Sequence, residues 1–85
     1  MPTSGTASEI SGPTGGFQSI TAGPDGNLWF AESVANKVGC ITTQGATSEF
    51  PIPTATSNPT DITAGPDGNL WFTEQYGNKI GRITP

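Results

Sequence analysis

Eleven consecutive residues, Ile20-Thr-Ala-Gly-Pro-Asp-Gly-Asn-Leu-Trp-Phe30, recur letter for letter as Ile62 to Phe72, 42 positions later, in a chain of 85. Identities continue past this block at Glu32/Glu74, Asn36/Asn78, Lys37/Lys79, Gly39/Gly81, Ile41/Ile83 and Thr42/Thr84. One sequence used twice builds one structural unit twice. A unit of about 40 residues is too short to bury a core by itself, so neighbouring units must cover each other.

Each unit divides into four short strands. Strand A is 19–22, repeated at 61–64. Gly23-Pro24-Asp25-Gly26-Asn27 and Gly65-Pro66-Asp67-Gly68-Asn69 are hairpin turns, in which proline sets the first corner and glycine takes a positive φ. Strand B is 28–32 and again 70–74; strand C is 37–41 and again 79–83. In the B–C links, Gly77 is expected to supply backbone freedom in the second copy. Strand D is 47–52, whose prolines suit an outer edge, with a shorter counterpart at Thr6-Ala7-Ser8-Glu9-Ile10. The two units are 1–43 and 44–85, each reading D-A-B-C. Leu28-Trp29-Phe30 and Leu70-Trp71-Phe72 are continuously apolar, as in strands covered on both faces. Four short strands per repeat of this length, with one apolar strand and a Gly-Pro-Asp-Gly turn, predict an all-β chain of two four-stranded antiparallel propeller blades.

Composition narrows the function. A net charge of −4, with Lys37, Lys79 and Arg82 the only cations, excludes a phosphate-backbone partner. No apolar stretch is long enough for a membrane-spanning helix, and the start lacks the basic-then-apolar order of a secretory leader, which leaves the compartment open. A single cysteine, Cys40, forms no internal disulfide and is expected to be a small buried thiol. Asn58-Pro59-Thr60 is blocked as a glycosylation acceptor by its proline.

Two blades do not close a ring. A blade face spans roughly 300–350 Å², so two bare faces equal or exceed the largest apolar patch of an ordinary soluble monomer. Head-to-tail contacts between copies would cover both faces and close a ring. The partner expected is therefore the chain itself, as a trimer of six blades, or next as a tetramer of eight. Strand D at Thr6 to Ile10 is expected to complete the last blade of a neighbouring copy. The residues expected to pack blades and hold the assembly are Ile10, Ile20, Leu28, Trp29, Phe30, Ile62, Leu70, Trp71 and Phe72.

Residues 62–85, preceded by Ser48-Glu49-Phe50-Pro51-Ile52-Pro53-Thr54, resemble a blade of the streptogramin B lyase family, the virginiamycin B lyase-like propellers. The resemblance covers nearly the whole chain as two successive blades. It implies a seven-bladed ring and a metal-assisted elimination that linearises a cyclic depsipeptide, using histidine and glutamate around Mg²⁺ near the axis. These 85 residues contain no histidine. No catalytic residue carries over, no cofactor is expected, and seven blades are not a multiple of two.

The remaining candidates are few. Glu32 and Glu74 end strand B once per blade and are candidates for a carboxylate ring around a hard cation, or else solvated or backbone-bonded carboxylates that close each strand. Tyr76, in a B–C link, and Asp61, before the innermost strand, are candidates for contact with a small molecule or glycan; Asp61 otherwise caps the Asn58-Pro59-Thr60 turn. Asp25-Gly26-Asn27 lacks the further ligands of a calcium loop, and Gly15-Gly16 has no following helix or lysine to cradle phosphate. Three function classes follow: a non-catalytic self-assembling propeller module, a binding propeller with repeated sites, and an Mg²⁺-dependent streptogramin lyase. The first fits these residues best.

Overall fold

The computed structural model describes residues 7–9 and 16–85. Seven strands form two antiparallel sheets: β1 (Phe17–Ala22), β2 (Leu28–Glu32), β3 (Lys37–Ile41) and β4 (Thr47–Pro51) in the order β1-β2-β3-β4, then β5 (Pro59–Ala64), β6 (Leu70–Glu74) and β7 (Lys79–Ile83) in the order β5-β6-β7. The registers of the two sheets repeat one another: Phe30 lies opposite Gly39 as Phe72 lies opposite Gly81. Strands β1 and β5 begin two residues earlier than the apolar pattern marks, each after a register shift, between Phe17 and Ser19 and between Pro59 and Asp61.

The second sheet differs from the expected four strands: among the described residues it has three. Of the early strand D, Thr6 and Ile10 lie outside the described residues, while Ala7–Glu9 are exposed and belong to no strand. Strand β4 falls within the second sequence unit yet pairs with β3 of the first. The sequence repeat and the sheets are therefore offset by one strand.

The hairpins show why the repeated turn is spelled as it is. Gly26 and Gly68 adopt φ of 84° and 80°, the left-handed region that glycine enters without steric cost. In each turn the aspartate accepts three hydrogen bonds. Asp25 takes them from Asn27 N at 3.2 Å, Asn27 Nδ2 at 3.0 Å and Trp29 Nε1 at 3.0 Å. Asp67 takes them from Asn69 N at 3.2 Å, Asn69 Nδ2 at 3.0 Å and Trp71 Nε1 at 2.9 Å. A residue read only as a turn former thus also anchors the indole of the next strand.

The B–C links turn on asparagine, contrary to the role expected of Gly77. Asn36 and Asn78 hold φ of 59° and 53°, which asparagine tolerates better than other side chains. Asn36 also ties its turn to the linker after β4. Its Nδ2 donates to Thr54 O at 2.8 Å, and its Oδ1 accepts from Ser57 N at 2.9 Å and Ser57 Oγ at 2.6 Å.

Strand alternation assigns every side chain to a face. Trp29, Ala31, Val38 and Cys40 share one face of the first sheet through the β2–β3 register. Ile62, Leu70, Phe72 and Ile83 share one face of the second. The core forms where these two faces meet, sealed by Ile52 from the linker. The inner strands β1 and β5 run side by side, and Ser19 Oγ donates to Asp61 Oδ1 at 3.0 Å between them.

Candidate functional site

The two sheets each turn one face away from the shared core, and the repeat dictates what these faces contain. The outer face of the first sheet carries Ile20, Leu28, Phe30, Glu32, Lys37, Gly39 and Ile41. Forty-two positions on, the inner face of the second sheet carries Ile62, Leu70, Phe72, Glu74, Lys79, Gly81 and Ile83, residue for residue the same. The inner copy is covered by the first sheet; among the described residues no sheet covers the outer copy, whose Ile20 and Leu28 stay exposed while Phe30 and Glu32 are buried by side chains of their own sheet. Ile62 is 4% exposed and Leu70 0%, whereas Ile20 is 62% and Leu28 37% exposed. Phe30 is shielded by Phe17, whose ring meets it edge-on at 4.9 Å. Beside them lies an apolar hollow of about 310 Å³ between Phe17, Ile20, Phe30 and Ile41.

The outer face of the second sheet is the counterpart of the first sheet's buried face. Trp71 and Ile80 stand where Trp29 and Val38 stand, but Thr73 and Arg82 replace Ala31 and Cys40. Ile80 is exposed where Val38 is buried. Arg82 lies over the Trp71 ring at 5.5 Å, and its guanidinium reaches Asp67 at 3.9 Å. In the first sheet the ring stacked on Trp29 is Phe50, at 5.6 Å.

Glu32 is fully buried, and neither carboxylate oxygen has a hydrogen-bond partner. It folds over Gly39, where a Cβ would strike both the Phe30 ring and the Glu32 carboxylate. Burial, reinforced by the Glu49 carboxyl beside it, pushes the Glu32 pKa up to about 7, with Lys37 opposing. Lys37 Nζ lies 3.7 Å from Glu49. Glu74 is buried too, with Oε1 unpartnered. Neither carboxylate is a solvated strand end. Among the described residues no three His, Cys, Asp or Glu side chains come together as metal ligands would.

The other candidates are scattered. Tyr76 is exposed in its link, its N–H donating to Ser57 O at 2.9 Å. Asp61 is bonded to Ser19 and to the N–H of Ile62 at 2.9 Å, bridging β1 and β5 rather than the Asn58-Pro59-Thr60 turn. Ile10 lies outside the described residues. Cys40 is free and buried; burial, then the Asp25 charge, raises its thiol pKa. No described helix is long and apolar enough to cross a membrane.

Known proteins match this arrangement. The chain superimposes on virginiamycin B lyase from Staphylococcus aureus with a TM-score of 0.86 and 50% identity, covering 92% of this chain and 27% of that one. A catalytically inactive form of the S. aureus enzyme with quinupristin gives a TM-score of 0.81 at 51% identity, over 89% of this chain and 26% of that chain. A streptogramin B lyase structure gives 0.83 at 46% identity, with the same coverage. Virginiamycin B lyase of Bordetella bronchiseptica is 41% identical over 48 residues, 56% of this chain and 16% of its own length. The chain thus spans about a quarter of the solved lyases it matches. The model of the virginiamycin B lyase family matches residues 2–85, and the chain belongs to that family.

Proposed function

We propose that this chain is a non-catalytic propeller module whose copies close a ring face to face. The observation that carries this is the identity of the two seven-residue faces. The outer face of the first sheet already has the residues that the second sheet uses to bury itself, so another copy's outer second-sheet face can receive it as the first sheet receives Ile62, Leu70 and Phe72. The contact is heterologous and repeats until the rotation closes. A trimer gives six blades, within the usual range for propellers, and a tetramer gives eight.

Thr73 and Arg82 fit the same geometry. They make the receiving face less apolar than the Ala31–Cys40 face, as suits a surface that each chain exposes before it assembles. The relatives are named as lyases, and the family resemblance assigns their chemistry to histidine and glutamate around Mg²⁺. These 85 residues supply buried glutamates but no histidine to act as base, which favours a structural module over a catalyst.

Light scattering tests this. A particle of three or four times the 8.7 kDa chain mass is expected, and a stable particle of one chain mass overturns the proposal. Turnover of a streptogramin with Mg²⁺ would overturn the non-catalytic part alone. A ligand-dependent melting shift that required Tyr76 and Asp61 would establish the binding-propeller alternative.

A further inference from the structure

We infer that β4 is a proton-gated strap: a proton held between Glu32 and Glu49 keeps this strand on the sheet, and loss of that proton releases it. The device belongs to one chain and stands whether or not copies close a ring.

The register brings the two carboxyl groups together. Glu32 ends β2, and Lys37 on β3 lies directly opposite it. Glu49 on β4 lies opposite Gly39, so strand alternation puts Glu32, Lys37, Gly39 and Glu49 on one face. Gly39 has no side chain to keep the carboxyl groups apart, and the Glu32 carboxylate occupies space that a Cβ there would take. The charged groups facing Glu32 are Glu49 from β4 and Lys37 from β3; its partner on β1 is the uncharged Phe17. Lys37 Nζ is already engaged by Glu49, at 3.7 Å.

Glu32 is fully buried, yet neither oxygen has a hydrogen-bond partner. A buried carboxylate without a donor is costly. A neutral carboxyl is not, because its O–H can donate to the Glu49 carboxylate, which in turn faces Lys37. One proton then ties β2 to β4 across β3. Ionisation of Glu32 removes that donor and sets two negative charges against each other.

The strand free to yield is β4. Strand β2 is paired on both sides, whereas β4 pairs only with β3 among the described residues. It is mostly exposed and has no N–H to give at Pro51. Lifting β4 admits water to Glu32 and takes Phe50 off the Trp29 ring, on which it stacks at 5.6 Å. The direction follows from linkage. With β4 closed, the Glu32 pKa is pushed up from 4.5 to about 7, and contact with water returns it toward 4.5. Release is hardest below about pH 4.5, becomes easier as pH rises to about 7, and levels off above.

Amide hydrogen exchange read by NMR locates the opening. Exchange at residues 48–50, divided by the unstructured-chain rate at the same pH, should rise about ten- to a hundredfold from pH 5 to pH 8. These amides should also exchange faster than those of residues 71–73 in β6, since β4 opens without the rest of the fold. Glu32→Gln removes the titrating group and should leave β4 exchange flat with pH. Glu49→Gln offers an amide donor to the Glu32 carboxylate and should hold β4 closed at pH 8. Flat exchange in the unaltered chain, or a rise that survives Glu32→Gln, overturns the strap. So does a β4 that exchanges no faster than β6, for then the proton guards the whole fold and not this strand. A β4 that still opens in Glu49→Gln contradicts the pairing with Glu49.

Discussion

The outer face of the first sheet and the inner face of the second are the same seven residues in the same register, yet the isoleucine and leucine are exposed on the first and buried on the second, while the phenylalanine and glutamate are buried on both. Ile20 and Ile62 precede identical turns and pair with identical phenylalanines, but differ from 62% to 4% in exposure. The residues before them differ, Phe17-Gln18-Ser19 against Pro59-Thr60-Asp61. The larger difference is the neighbour: the second sheet has the Trp29–Val38–Cys40 surface against it, and among the described residues no sheet lies against the outer face of the first. Burial in a repeat fold therefore belongs to the interface and not to the unit. It follows that a repeat with an uncovered face carries a surface already built for another blade.

The leucines give the sharpest separation. Leu70→Ala removes a fully buried side chain and should cost about 2–5 kcal/mol in a denaturant melt. Leu28→Ala should cost under about 1 kcal/mol in a lone chain, since the residue is already partly in water. In an assembled ring Leu28 takes the place of Leu70, and the two losses should converge, with Leu28→Ala also lowering the particle mass. A Leu28 effect that stays small while the particle stays large would mean that copies meet elsewhere.

Gly39 and Gly81 extend the comparison to the strand centres. A Cβ at either position runs into the facing phenylalanine ring, and at Gly39 into the Glu32 carboxylate as well. Alanine should cost about 1–3 kcal/mol at each, the scale of overpacking. Gly39→Ala should be the worse of the two in thermal melts of the double-sheet unit. Equal losses would show that the phenylalanine alone sets the requirement for glycine.

Much of this architecture is legible in the chain. The 42-residue repeat, the Gly-Pro-Asp-Gly-Asn turns and the Leu-Trp-Phe run locate β2, β3, β6 and β7 at their observed bounds, because short-range turn chemistry and apolar runs decide those elements. The early starts of β1 and β5 escape such a reading, since a register shift has no periodic signature. The left-handed turn residue was hidden for a different reason. Gly77 is the obvious candidate, but Asn36 and Asn78 occupy the position, and at Asn36 the amide side chain adds bonds to a linker some twenty residues away. The buried state of Glu32 and Glu74 depends on the packing of β3, β4 and the linker, none of which a strand-end glutamate reveals. Spacing did hold one unused clue: aspartate four residues before tryptophan, across a hairpin, is within reach of the indole N–H.

Glu32 turns the contrast between the sheets into a pH dependence. Its native pKa of about 7 stands above the ordinary 4.5, so between these values the folded chain holds a proton that the unfolded chain has released. Stability is then highest below about pH 4.5, falls as pH rises toward 7, and is flat beyond. Glu32→Gln should abolish this slope and stabilise the fold at pH 8 by on the order of 1–3 kcal/mol, with no gain at pH 4. A slope that survives Glu32→Gln would show that Glu32 is not the group responsible.

The indole anchors supply the smallest effect and the finest distinction. Hydrogen bonds from Trp29, Asn27 and their twins hold Asp25 and Asp67 below the usual carboxylate range. Their contribution is present above the unfolded pKa of 3.8 and is lost as pH falls through the lowered native value, opposite in sense to Glu32. Asp67→Ala removes the acceptor of the Trp71 indole, which is half-buried beside Arg82, and should red-shift its fluorescence in the unassembled chain. Asp25→Ala should shift Trp29 less, because the packing of the second sheet already holds that ring. Assembly on the outer second-sheet face would bury Trp71 as Trp29 is buried and reduce the difference between the two variants. If the Asp67→Ala shift stays the same from dilute to concentrated protein, Trp71 is not covered by a neighbouring blade.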